Sequence, residues 1–167
     1  MKKSYWISLL SIISAVFLDQ YTKLLAVRHL KDSPIPIIDG VFELHYLEDR
    51  GAAFGILQNQ QTFFLIMTVI MIALCTFSFV KMPDTKRLFP IKACMVAVVS
   101  GAIGNMIDRV RLNYVIDFLY FKLIDFPIFN VADIYVTIAA FALIFLIMFY
   151  YKEDELDQFF AKIGWNK

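Results

Sequence analysis

The sequence predicts an all-α membrane protein of four transmembrane helices, with a small sheet on its extracytoplasmic side. Three observations predict it. Of the 167 residues, 60% are hydrophobic and 17 are Phe, against about 45–50% apolar residues in soluble domains. Four apolar runs are each long enough to cross a hydrocarbon core of about 30 Å, which takes about 20 helical residues. Between the first two runs lies a partly alternating stretch bounded by proline and glycine, the pattern of short strands.

The first helix is expected at about 4–25. Met1-Lys2-Lys3 and the apolar stretch after it imitate a secretory signal peptide. No small-x-small cleavage site follows, and the run ends in Asp19-Gln20-Tyr21-Thr22-Lys23, so it reads as an uncleaved span. The second and fourth helices, about 62–80 and 134–151, are apolar throughout; the third, about 91–109, is bounded by Lys92 and Asp108. Pro83-Asp84 and Pro90 fit a short connection between the second and third. Lys2, Lys3, Lys81, Lys86, Arg87 and Lys152 mark one side, which the positive-inside rule makes cytoplasmic. The other side carries Arg28, Lys31, Arg50, Arg109, Arg111 and Lys122, so the bias is modest. Four spans return both termini to the cytoplasm. In residues 32–59, Val41, Glu43, His45 and Leu47 alternate with Phe42, Leu44, Tyr46 and Glu48, which predicts two or three short strands. Residues 113–129, rich in Phe and Tyr, read as an interfacial segment. Residues 1–167 form one unit.

The polar residues gather at one end. In the third helix, Ala93, Ala97, Gly101 and Asn105 recur every four residues, and Ser100, Gly104 and Asp108 form a second row beside them. Small residues at that spacing allow close backbone approach. Asp19 and Lys23 stand at i and i+4, the favoured order for a helical ion pair. Asn130 can cap the fourth helix with Asp133 in its first turn. Asp108 precedes Arg109, a ready ion pair. Each has an ordinary structural account. Together, Asp19, Asp49, Asp108, Asp117 and Asp133 fall near one membrane face, and ionisable groups held at one depth point to a water-accessible site.

Several chemistries are disfavoured. Ser78-x-x-Lys81 lies at the cytoplasmic end, away from every other polar group, where Lys81 reads as a charge anchor. The only histidines are His29 and His45, and no His-Glu-x-x-His is present, so neither zinc nor another cofactor is expected. Cys75 and Cys94 lie inside apolar runs as packed free thiols. A net charge of +1 without a basic tract gives nucleic acid no purchase. Paired carboxylates remain: two sharing one proton can activate water and polarise an amide carbonyl. The helix-four terminus favours an ionised Asp133, leaving Asp117 as proton carrier. Spacing alone does not select Asp117 with Asp133 over Asp108 with Asp49. A small proton-coupled transporter is the alternative, although it predicts mid-bilayer acids and an internal repeat. A non-catalytic scaffold would use the acids only as caps.

Five segments in order resemble the motifs of bacterial lipoprotein signal peptidases, the type II signal peptidases. They are Asp19-Gln20-Tyr21-Thr22-Lys23, Gly51-Ala52-Ala53-Phe54, Gly101-Ala102-Ile103-Gly104-Asn105-Met106-Ile107-Asp108-Arg109, Val115-Ile116-Asp117-Phe118 and Phe129-Asn130-Val131-Ala132-Asp133. The resemblance implies an aspartic endopeptidase of the bacterial inner (cytoplasmic) membrane with a small extracytoplasmic β-cradle over about 32–59; a monomer is expected. Its substrates would be diacylated prolipoproteins, met among membrane lipid and cut just before the lipidated cysteine. It further implies that Asp117 and Asp133 are the catalytic pair, and that Asp19, Lys23, Gly51, Asn105, Asp108, Arg109 and Asn130 line or support the site. Asp49 departs from the asparagine common at its position. An amide donates to a carbonyl; an ionised carboxylate cannot. Either Asp49 is protonated, or Arg50 compensates it, or the position does not bind substrate here.

Overall fold

Four long apolar helices form as the hydropathy predicts: α1 (Lys3–His29), α2 (Gln61–Lys81), α3 (Phe89–Leu112) and α4 (Val131–Phe145). A π-helical turn, Leu146–Tyr150, extends α4 into a span of 20 residues. The computed structural model describes residues 3–51 and 60–163. Lys2 and residues 52–59, including Ala52, Ala53 and Phe54 of the predicted cradle, lie outside the described residues.

α3 is the central helix, packing against α1, α2 and α4. Half of its most apolar window is buried, against 6% for α2 and 17% for α1 and α4. Lipid supplies no hydrophobic drive between helices, so close contact must come from small residues. The predicted seam provides them. A Cβ on Gly101 would collide with the Ala132 carbonyl oxygen of α4, and one on Gly104 would come within 2.6 Å of Asp19 Oδ2 on α1. Pro90 starts α3, and Asn113, left-handed at φ 62°, ends it and turns the chain toward the sheet.

The sheet is antiparallel, in the order β1 (Ile35–Ile38), β2 (Phe42–Asp49), β3 (Val115–Tyr120). Two expectations change here. The first part of the segment read as interfacial, Val115–Tyr120, is instead β3, and Ile116 and Phe118 there pack with Ala26 and Leu30 of α1. The simple alternation of residues 41–48 is also broken. Leu44 pairs with Leu119 and Leu47 with Asp117, so β2 carries one extra residue between them. This bulge puts Leu44 and Leu47 on the same face, and Asp49, opposite Val115, on the face of Asp117.

At the opposite end, a further helix, α5 (Glu153–Ile163), was not foreseen. Arg87 fastens it, donating to the Glu155 carboxylate (2.9 Å) and the Tyr150 carbonyl (2.5 Å) with its guanidinium 4.0 Å from the Tyr150 ring centre. Lys92 pairs with Asp84 beside it (3.0 Å). Lys81, at this end too, lies 5.6 Å from the Phe77 ring centre. Cys75 and Cys94 are free thiols.

Candidate active site

The end of the bundle nearest the sheet is organised around one buried ammonium. Lys23 is 1% exposed, and its Nζ lies 3.0 Å from Asp19 Oδ2, 2.8 Å from Asp108 Oδ2 and 2.8 Å from Asn105 Oδ1. Asp19 is fully buried and Asp108 is 2% exposed. Buried charges persist only when paired and hydrogen-bonded, and both carboxylates have further work. Asp19 Oδ1 accepts the Ala132 N–H (2.9 Å), while Asp108 Oδ2 accepts the Ile116 N–H (3.3 Å). Each therefore grips the backbone one residue before Asp133 or Asp117. The helical pair expected from i,i+4 spacing is thus not a rim pair. Asp108 joins it instead of pairing with Arg109.

A second, neutral layer touches the two carboxylates directly. Asn130 caps α4 reciprocally: its Oδ1 accepts the Asp133 N–H (3.0 Å), and its own N–H donates to Asp133 Oδ2 (3.0 Å). Asn130 Nδ2 donates to Asp117 Oδ1 at 2.7 Å and to Asn105 Oδ1 at 3.0 Å. Asn105 Nδ2 donates to Asp133 Oδ1 at 2.7 Å. One fully buried amide is thus bonded to both aspartates. Their elements are held in register by backbone: Leu119 and Phe129 exchange hydrogen bonds (2.9 and 3.1 Å), which seats the start of α4 against β3.

Asp117 and Asp133 open onto a cleft of about 810 Å³, whose walls include Asp49, Gly51, Phe64 and Arg109. Burial pushes the Asp117 carboxyl up to about 8, and the Asp133 charge adds to it. The Asp49 charge acts in the same direction, against the Asn130 hydrogen bond and the Lys23 charge. Asp49 Oδ1 accepts the Gly51 N–H (3.0 Å), an acceptor role that an asparagine oxygen fills equally well. Arg50 does not compensate it: its guanidinium bonds Glu48 (3.2 Å). Arg109 extends over Phe64, 5.1 Å from the ring centre, and its buried Nε has no partner among the described residues.

All ten residues singled out in the sequence gather at this end. Asp49 and Asp108, the rival pair, part company: Asp49 lines the cleft, whereas Asp108 is committed to Lys23. Sequence reasoning missed Gln20, whose Nε2 donates to Asp108 Oδ1 (2.9 Å) and the Gly104 carbonyl (3.2 Å). It also passed over His45, which lines the cleft.

The chain matches known proteins over most of its length. Residues 11–149 match the Signal peptidase (SPase) II family. The chain is 46% identical over 136 residues to a lipoprotein signal peptidase of Caldanaerobacter subterraneus subsp. tengcongensis, covering 80% of this chain and 90% of that one. It is 42% identical over 145 residues to one from Streptococcus thermophilus, covering 86% and 92%. A solved bacterial membrane enzyme superposes with a TM-score of 0.78 at 31% identity, covering 88% of this chain and 92% of its own. With a match that spans most of its length, Asp117 and Asp133 included, the chain belongs to the signal peptidase II family.

Proposed function

We propose that residues 1–167 form a single integral-membrane aspartic endopeptidase that removes the signal peptide from diacylglyceryl-modified prolipoproteins, cutting just before the lipidated cysteine. The observation that carries this reading is the pair of carboxylates, Asp117 and Asp133, both bonded by Asn130 (Asp117 by its side-chain Nδ2–H, Asp133 by its backbone N–H) at the mouth of a cleft beside the spans. Asp133 accepts two hydrogen bonds, from Asn105 Nδ2–H and Asn130 N–H, and serves as the base of the pair. It takes a proton from the attacking water. Asp117, protonated at neutral pH, donates to the scissile carbonyl oxygen. The water oxygen bonds to carbon to give a gem-diol; the C–N bond then breaks as the proton held by Asp133 passes to the leaving amine and one diol hydroxyl returns its proton to Asp117. Arg109 is free to donate to a substrate carbonyl or head group.

The enzyme works as a monomer in the bacterial cytoplasmic membrane, with both termini inside and the cleft at the extracytoplasmic face. Supporting this, Arg87, Lys92 and Lys152 lie at the end opposite the aspartates. A transporter would place ionisable groups along the span; here the buried ones cluster at its ends.

The test is incubation of the purified enzyme with one diacylated prolipoprotein and its unlipidated form. Cleavage of the lipidated form alone is expected, together with a loss of about a thousandfold in folded Asp117→Asn and Asp133→Asn. Equal cleavage of both substrates overturns the lipid-dependent reading, and full activity in either variant overturns the pair.

A further inference from the structure

The sheet carries an apolar edge that the helix bundle leaves uncovered. Ile37 and Ile38 in β1 are each 56% exposed, and Leu123 and Ile124, in the helical turn after β3, are 69% and 68% exposed. The Leu123 N–H donates to the Val41 carbonyl (3.3 Å), so the β1–β2 turn and this helical turn form one edge. Aliphatic side chains this exposed, grouped this closely, mark a surface with a partner.

What covers the edge follows from what adjoins it. The Phe121 ring stacks on Phe129 (5.8 Å, 20° between planes), immediately before the α4 cap. From there the apolar surface passes Ile138, which lines the cleft, and continues along α4 through Phe141 and Phe145, 70% and 59% exposed, on a helix long and apolar enough to span the bilayer. The edge is thus an extension of a face already turned toward lipid, reached through aromatic rings of the type that settle at head-group depth. A protein partner would have to stop at a boundary that the surface does not show.

We infer that this edge, centred on Leu123 and Ile124, is immersed in the interfacial region of the leaflet at its end of the bundle. It tethers the sheet to lipid as an interfacial helix does, through buried apolar area. Phe126, which meets Phe129 edge-on at 5.9 Å, also lines the cleft. The tether therefore sets the depth of the cleft mouth. Only this last consequence rests on the proposed lipidated substrate; the immersion itself does not.

The test labels Leu123→Cys, in a chain carrying Cys75→Ala and Cys94→Ala, with an environment-sensitive fluorophore in phosphatidylcholine–phosphatidylglycerol vesicles. Val69→Cys, on the exposed face of α2, serves as the lipid-embedded control. Quenching by shallow nitroxide lipids and protection from aqueous iodide are expected. Iodide quenching overturns the inference, and so does protection from both quenchers, which identifies a protein cover. In the native-cysteine background, Leu123→Asp with Ile124→Asp is expected to raise KM for vesicle-embedded lipidated substrate about tenfold with kcat unchanged. An unchanged KM overturns the depth-setting role while leaving the peptidase reading intact.

Discussion

Asp117 keeps its proton because burial and the neighbouring Asp133 charge both oppose ionisation, with Asp49 a further contributor. A reaction that needs this proton fails as pH rises through about 8. Asp49→Asn removes one of the charges raising the Asp117 pKa, so the alkaline limb of the pH–rate profile is expected to move to lower pH. An unmoved limb would show that Asp49 has no electrostatic part in the pair. Lys23 presents the opposite case, a cation among three oxygen acceptors with almost no exposure. Lys23→Met leaves Asp19 and Asp108 facing one another without a counter-ion, and a loss of about 3–5 kcal/mol is expected. Thermal unfolding in detergent micelles measures it. The sequence showed Asp19 and Lys23 as helical neighbours, but not Asp108, whose arrival depends on how closely α3 approaches α1.

That approach belongs to the elements. Gly104 lets α3 lie against Asp19, and a methyl group there, 2.6 Å from Oδ2, must displace the carboxylate from Ala132. Gly104→Ala is expected to destabilise by about 1–3 kcal/mol and to lower kcat, since the Ala132 amide leads directly into Asp133. A thermal shift combined with initial-rate kinetics checks both. The spans were legible because twenty apolar residues in lipid admit little besides a helix, and the α4 cap was legible because Asn130 and Asp133 have capping-box spacing. β3 was not. Its aromatic and β-branched residues suit a strand and a membrane interface equally, and only the partner strand decides between them. The bulge in β2 left no local signal, yet it brings Asp49 onto the face of Asp117. Helix α5 begins Glu153-Asp154-Glu155, which reads as a solvated tail until Arg87 arrives from another loop.

At the scale of the molecule, ion pairs close one end of the bundle and the cleft occupies the other. If the cleft is extracytoplasmic, a thiol at Asp32→Cys reacts with a membrane-impermeant maleimide in intact spheroplasts, and one at Lys152→Cys reacts only after lysis. The reverse pattern would invert the proposed topology. The backbone exchange between Leu119 and Phe129 carries a consequence for biogenesis. Asp117 and Asp133 meet only when the last span has inserted and doubled back onto a strand whose own partner was translated some 70 residues earlier. During synthesis the chain holds every group of the α1–α3 network before Asp117 and Asp133 can meet. With these two as the proposed catalytic pair, an enzyme assembled in this order stays silent until its last span is in place, which spares the membrane in which it is being built.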